Sequence, residues 1–323
     1  MDFRLLEYFL RVAELGSINK AAADLLLSQP ALSRHIASLE HEMGAQLFTR
    51  TQGGVQLTEP GRLLSDRARP LMRQFYSLKE AVGEAAAGQL AIGIPPSWQF
   101  VFTTPFVEQL VRTHPGVKLR VYEGVSNVLR EYMCAGALDL CITSFNASVP
   151  AGFTQTGLVR EPLVLVGRKE QGLCAQQPVS ILDLNGLDLV LPSRPNIIRT
   201  QIEQRLLHLE LVFKQVVEAD TMPLCLSLIR KGVGNTVVPA AVLSALSWDT
   251  SISWAPVKGL DITWALYEND ARMHSPAVRE GRRLVFATLN ESLSGTAWFG
   301  AECVGKTVAT PKKPIAKVRT RPA

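Results

Sequence analysis

Gln29, Ser33 and Arg34 stand within six residues of one another, directly after Ser28 and beside Pro30. Amide, hydroxyl and guanidinium groups are the types that hydrogen-bond base edges and phosphates. A helix over 29–43 would present them together. Ser28 can cap it, Pro30 falls in the first turn where its missing N–H costs nothing, and Gly44 suits the stop. Leu32, Ile36, Leu39 and Met43 step by 4, 3 and 4 and form its expected buried stripe. The polar residues lie off that stripe, near an N-terminal end whose free N–H groups favour phosphate.

Two shorter helices must hold this one in place. The first is expected over 3–15, capped by Asp2 and stopped by Gly16, with Phe3, Leu6, Phe9, Leu10 and Ala13 on one face. Ser17 caps the second, over 18–26, with Ala21, Ala22 and Leu25 inward. Phe48-Thr49-Arg50 and Val55-Gln56-Leu57 flank Thr51-Gln52-Gly53-Gly54, a hairpin signal with Arg50 at its base. No acidic residue occurs between Glu42 and Glu59. This is a helix-turn-helix layout with a wing. A plain three-helix packing unit fits the spacing equally well.

Thr58 can cap a long helix over 59–87 that ends at Gly88. Leu64, Ala68, Leu71, Phe75, Leu78, Val82 and Ala85 step alternately by 4 and 3, a strict heptad seam. Such a seam predicts dimerisation; packing on the chain's own C-terminal region is the alternative. Pro70 falls off the seam but inside the helix, so a bend is expected there.

From residue 89 strand and helix alternate to about 293, the pattern of parallel sheets covered by helices. Polar loops follow the strands: Ser97-Trp98, Ser126-Asn127, Thr143-Ser144, Ser193-Arg194-Pro195-Asn196 and Asp220-Thr221. Ligands of open α/β sheets sit past the carboxyl ends of strands. Helix capping is the plainer role for Ser126 and Thr221.

The residues themselves are more specific than their spacing. Phe9-x-x-Val12-Ala13-Glu14-x-Gly16-Ser17, Ala21-Ala22-x-x-Leu25, Ser28-Gln29-Pro30-Ala31-Leu32-Ser33-Arg34-x-Ile36-x-x-Leu39-Glu40, Gly44-x-x-Leu47-Phe48-x-Arg50 and Leu57-Thr58-x-x-Gly61 together closely resemble the LysR-type transcriptional regulators. Pro115-Gly116-Val117-Lys118-Leu119, Gly136-x-Leu138-Asp139-Leu140-x-Ile142 and Gly232-Val233-Gly234-x-x-Val237-Val238-Pro239 look like effector-domain landmarks of the same family.

The resemblance implies a winged helix-turn-helix over 1–58, a coiled-coil linker helix over 59–88 and a two-lobed α/β effector domain over 89–293. That domain resembles periplasmic binding proteins, with lobe I at 89–162 and 268–293 and lobe II at 163–267. Gln29, Pro30, Ser33 and Arg34 would face promoter DNA, Arg50 the adjacent backbone or minor groove, and Ser17 a phosphate. Ser97, Trp98, Ser126, Thr143, Asn196 and Thr221 would bind a small organic anion in the cleft. The implied partners are double-stranded DNA, that effector, a second copy of the chain (pairs of dimers included) and RNA polymerase.

Composition bounds the rest. Of the net charge of +5, the segment 301–323 supplies all, with Lys306, Lys312, Lys313, Lys317, Arg319 and Arg321 against Glu302. The body is neutral, so net charge is no argument for nucleic acid. The tail from 294 reads as basic and disordered. Five cysteines without a C-x-x-C pair argue against disulfides and zinc and fit a reducing compartment. Cys134 and Cys141 read as core cysteines before a redox pair. The N-terminus lacks a signal peptide's apolar core, and the uncharged stretch 90–107 holds three prolines, so the expectation is a cytoplasmic protein without a membrane span. No G-x-S-x-G, H-E-x-x-H, G-x-G-x-x-G or Walker A motif occurs, so no catalysis, metal or cofactor is expected. A solute-binding module or an enzyme on the same α/β fold is the rival reading.

Overall fold

The structure is a computed structural model that describes residues 2–51, 53–82 and 88–304; over 73–82 the one side chain described is Phe75. The N-terminal head consists of α1 (Phe3–Leu15), α2 (Ile18–Asp24), α3 (Gln29–Met43) and a hairpin of β1 (Phe48–Thr51) and β2 (Gly54–Leu57). Asp2, Ser17 and Ser28 cap the helices through their side chains, accepting from the N–H groups of Arg4, Lys20 and Ala31. Gly16 and Gly44 close α1 and α3 in the left-handed conformation. Leu6, Phe9, Val12, Ala21, Ala22, Leu32, Ile36, Leu39 and Leu47 form the core. The expected stripes fail at their ends, where Phe3 and Met43 reach solvent. α2 stops two residues early because Leu26 adopts φ +55°, a left-handed conformation that no helix continues.

α4 (Glu59–Val82) runs unbroken through Pro70. Thr58 caps it by accepting from Gly61 N–H. The heptad seam does not face outward as a unit. Ala68 is buried and Leu64 half-buried in the head's own core, together with Met72. Heptad spacing identifies an apolar stripe but not its partner, and here α1 of the same chain takes the first turns. Leu71 and Phe75 remain exposed; Leu78 and Val82 lie in α4 with side chains outside the described residues, and Ala85 lies outside them altogether.

The C-terminal region continues with β3 (Gln89–Ile94), α5 (Thr104–Thr113), β4 (Lys118–Glu123), α6 (Ser126–Cys134), β5 (Leu140–Ser144) and β6 (Phe153–Arg168). It goes on through β7 (Asp188–Leu191), α7 (Ile197–His208), β8 (Lys214–Glu218), α8 (Met222–Arg230), β9 (Thr236–Pro239), α9 (Leu243–Leu246), β10 (Ile252–Asn269), α10 (Pro276–Ser294) and β11 (Glu302–Cys303). Lobe I is built on parallel β4, β3 and β5. Lobe II is built on parallel β7 and β8, bridged to β9 through Leu189 and Asn235. The long antiparallel strands β6 and β10 run through both lobes.

Two expectations change here. The second crossing, expected at 268, lies at the register break between Pro256 and Asp261, because Trp264–Glu268 pair with β5 and so belong to lobe I. The chain from 294 is also packed as far as 304. Trp298 is buried, Phe299 stacks edge-on against Trp254, and β11 adds to the edge of β6. Its expected disorder was an inference from a composition set by the later bases, which lie outside the described residues.

Candidate nucleic-acid interface and effector cleft

On the head, α3 turns Gln29, Pro30 and Arg34 to solvent and leaves Ser33 half-buried, with Gln29 Nε2 donating to Ser33 Oγ at 2.9 Å. Arg50 is exposed on β1, opposite Val55. Among the described residues neither Arg34 nor Arg50 has a hydrogen-bond or ion-pair partner, so both guanidinium groups are open to an incoming anion. Ser17 is committed to its helix, its Oγ accepting from Lys20 N–H.

The wing is fastened to the helices at two points. Glu40 of α3 accepts from Leu47 N–H at 2.7 Å and Phe48 N–H at 3.2 Å. Val55 N–H donates to Gly16 O at 2.9 Å, and a Cβ on Gly54 would collide with that same carbonyl oxygen. Glu40 belongs to the family motif, but its position on α3 carries no sign in the sequence that it reaches the wing.

Between the lobes lies a cleft of about 950 Å³. Ser97, Asn196 and Thr221 line it as expected, and Ser126 lines a narrower recess at its base. Trp98 and Thr143 do not. Both are fully buried, Trp98 among Phe102, Trp264 and Trp298, and Thr143 inside β5. The side chain after Ser97 points into the core, and β5 runs on through both residues of the expected loop, Thr143 and Ser144. The capping role for Ser126 and Thr221 fails too. α6 and α8 begin without a side-chain cap, and Ser126 Oγ instead accepts from Ser144 N–H at 3.1 Å. Asn196 does cap its helix, accepting from Ile198 and Arg199 N–H.

The sequence reading missed the charged lining. Arg194 pairs with Glu203 at 2.9 Å and Arg230 with Asp249 at 2.6 Å. Bonds from Ser251 and from Arg230 hold the Asp249 carboxyl down to about 2. The hydroxyl and N–H of Ser193 lower Asp220 likewise. Glu123 stands at the rim. Phe100, Met222, Leu226, Val242 and Leu246 supply the apolar wall. Arg194 and Asp220 stood in the loops singled out above; the apolar wall comes from helix faces that carry no local signal.

The family model described as bacterial regulatory helix-turn-helix protein, lysR family, matches residues 3–62, and the LysR substrate binding domain matches residues 83–289. The chain belongs to the LysR family. The nitrogen assimilation regulatory protein nac of Escherichia coli K12 is 31% identical over 250 residues, covering 76% of this chain and 81% of that protein. The regulator BbuR of Bordetella bronchiseptica is 31% identical over 271 residues, covering 82% and 83%. Among solved structures, a full-length OxyR variant from Pseudomonas aeruginosa aligns with a TM-score of 0.72 at 20% identity over 97% of this chain and 99% of that one. Full-length CbnR complexed with its target DNA aligns at 0.63 and 22% identity over 89% and 100%. At such identities the likeness is one of fold. This LysR-type transcriptional regulator thus joins a helix-turn-helix head to a two-lobed substrate-binding domain. Among the described residues no helix is long and apolar enough to cross a membrane, and no group of three or more His, Cys, Asp or Glu could hold a metal ion.

Proposed function

We propose that this LysR-type regulator binds promoter DNA in the cytoplasm with Gln29, Pro30, Ser33, Arg34 and Arg50, and that a small organic effector in the interlobe cleft modulates that binding without chemical turnover. The observation that carries the reading is two exposed guanidinium groups, Arg34 on α3 and Arg50 on the fastened wing, neither with a hydrogen-bond or ion-pair partner among the described residues. Ser17 contributes the N-terminal end of α2 to a phosphate. Dimerisation uses the exposed apolar residues of α4, Leu71 and Phe75, continued by Leu78 and Val82, with Phe3 stacked on Phe75 at 4.4 Å. Two heads related by a two-fold then read an interrupted inverted repeat.

For the effector, the uncapped first turns of α6 and α8 suit an anionic group, while Glu123 and Asp220 oppose more than one negative charge. A small monocarboxylate with an apolar body fits the lining. The test is selection of duplexes from a random pool by the full-length protein. An enriched inverted repeat is expected, and Arg34→Ala should weaken its binding by about 1–3 kcal/mol, roughly 5- to 150-fold, with the oligomer intact. Undiminished binding by that variant would remove α3 from the interface.

A further inference from the structure

Glu161 is fully buried in β6, one residue before Pro162, where that strand passes from lobe I to lobe II. Its Oε1 accepts from Trp264 Nε1 at 2.5 Å and Trp98 Nε1 at 3.4 Å. Its Oε2 accepts from Ala241 N–H at 2.6 Å and Trp298 Nε1 at 2.9 Å. Burial pushes this carboxyl's pKa up, and the four donors oppose it. A carboxylate offers about four lone-pair positions, and here every partner is a donor.

The donors come from four separate pieces of chain. Trp98 follows Ser97 on the lobe I wall of the cleft, and Ala241 precedes Val242 on the lobe II wall. Trp264 belongs to the second crossing strand and reaches the recess at the base of the cleft. Trp298 lies beyond α10, its ring edge-on to that of Trp98 at 4.8 Å. A buried carboxylate that loses one donor is left under-compensated, so the four pieces hold together or fail together. Apolar side chains could fill this space, but they would impose no such all-or-none condition.

We propose that Glu161 is the pin of the interlobe hinge, a positioning residue that sets the two cleft walls through Trp98 and Ala241 and holds the segment 298–304 as a strap across the crossing strands. Its regulatory meaning rests on the effector reading of the cleft; the pin itself is testable with no effector present.

The experiment is amide hydrogen exchange on the full-length protein. Glu161→Gln keeps the shape but accepts at one oxygen only and turns its NH2 toward two donors. Exchange should quicken roughly tenfold at 95–100, 239–243 and 296–304 together, with α1–α3 unchanged. Trp298→Phe, which removes one donor and keeps most of the ring, should quicken 239–243 as well as 296–304. Trp248→Phe, at an exposed site, should change neither. Glu161→Ala leaves four donors around a small void, and sodium formate, unlike sodium chloride, should restore slow exchange. The pin is overturned if Trp298→Phe loosens 296–304 alone, if faster exchange in Glu161→Gln stays within 158–164, or if formate rescues nothing. Should Glu161→Gln not fold, Trp298→Phe decides. Failure of every small carboxylate to bind the unaltered protein would count against the effector reading and leave these exchange results standing.

Discussion

Among the described residues Arg34 and Arg50 stand on the head without a carboxylate partner, whereas Arg194 and Arg230 in the cleft are each closed onto a Glu or an Asp. The difference suits what each surface is proposed to meet. A polyanion supplies its own counter-charge, so cations that greet it stay open. In the cleft the pairing instead lowers the net charge of the lining, since Arg194 and Arg230 are themselves exposed and their ion pairs contribute little to stability. The two regions are also held differently. The head is fastened by short-range caps and by Glu40 on the wing, while the cleft depends on strands and donors more than a hundred residues apart.

Gly54→Ala should break the head side of this contrast most severely. The new Cβ meets Gly16 O, at a φ of +139° that side chains rarely adopt, for a cost of about 3 kcal/mol or more. Exchange protection in α1–α3 should fall while that of β6 and β10 holds; equal loss in both would show that the two regions unfold as one. On the cleft side, Asp249→Asn removes a carboxylate whose pKa is depressed. Its contribution is present above the ordinary 3.8 and is lost as pH falls toward about 2. The variant should therefore lose on the order of 1 kcal/mol near neutral pH and converge with the parent at the acid end of a pH series of denaturant melts.

Leu26→Asn tests the head in the opposite direction. Asn tolerates the left-handed conformation that exposed Leu26 is forced into, so a gain of about 0.5–1 kcal/mol is expected in thermal melts. The smallest effect belongs to the link between the regions. Arg120 of β4 donates to Glu14 of α1 at 2.6 Å, and Glu14 also pairs with Arg11 at 2.8 Å. Arg120→Ala should cost about 0.5 kcal/mol or less in thermal melts at low salt. Nothing should remain of that effect at molar salt. A larger, salt-resistant loss would mean the two regions are more tightly joined than this exposed pair suggests.

The head was legible almost residue by residue. Asp2, Ser17, Ser28 and Gly16 each act within a few residues of their own position, and caps of that kind are written locally. The cleft was legible in part: Ser97, Asn196 and Thr221 follow strands, as the α/β rule requires, but Trp98 and Thr143 do not face it. Which side of a strand end a side chain takes depends on a register set by distant partners. The seam on α4 shows the same limit, since its period predicted a stripe and could not say that α1 would cover Ala68.

By itself the sequence determined the helices of the head, their caps, the polar end of α3, the alternation of strand and helix, and the family, because each is carried by neighbouring residues or by ordered motifs. Only the tertiary structure decided that β10 crosses at 257–261, that the chain packs on as far as 304, and that Trp98, Trp264, Ala241 and Trp298 meet at Glu161. Those outcomes depend on which long-range surfaces bury together, and burial and donor counting are settled in space, where residues 80 or 137 positions apart become neighbours.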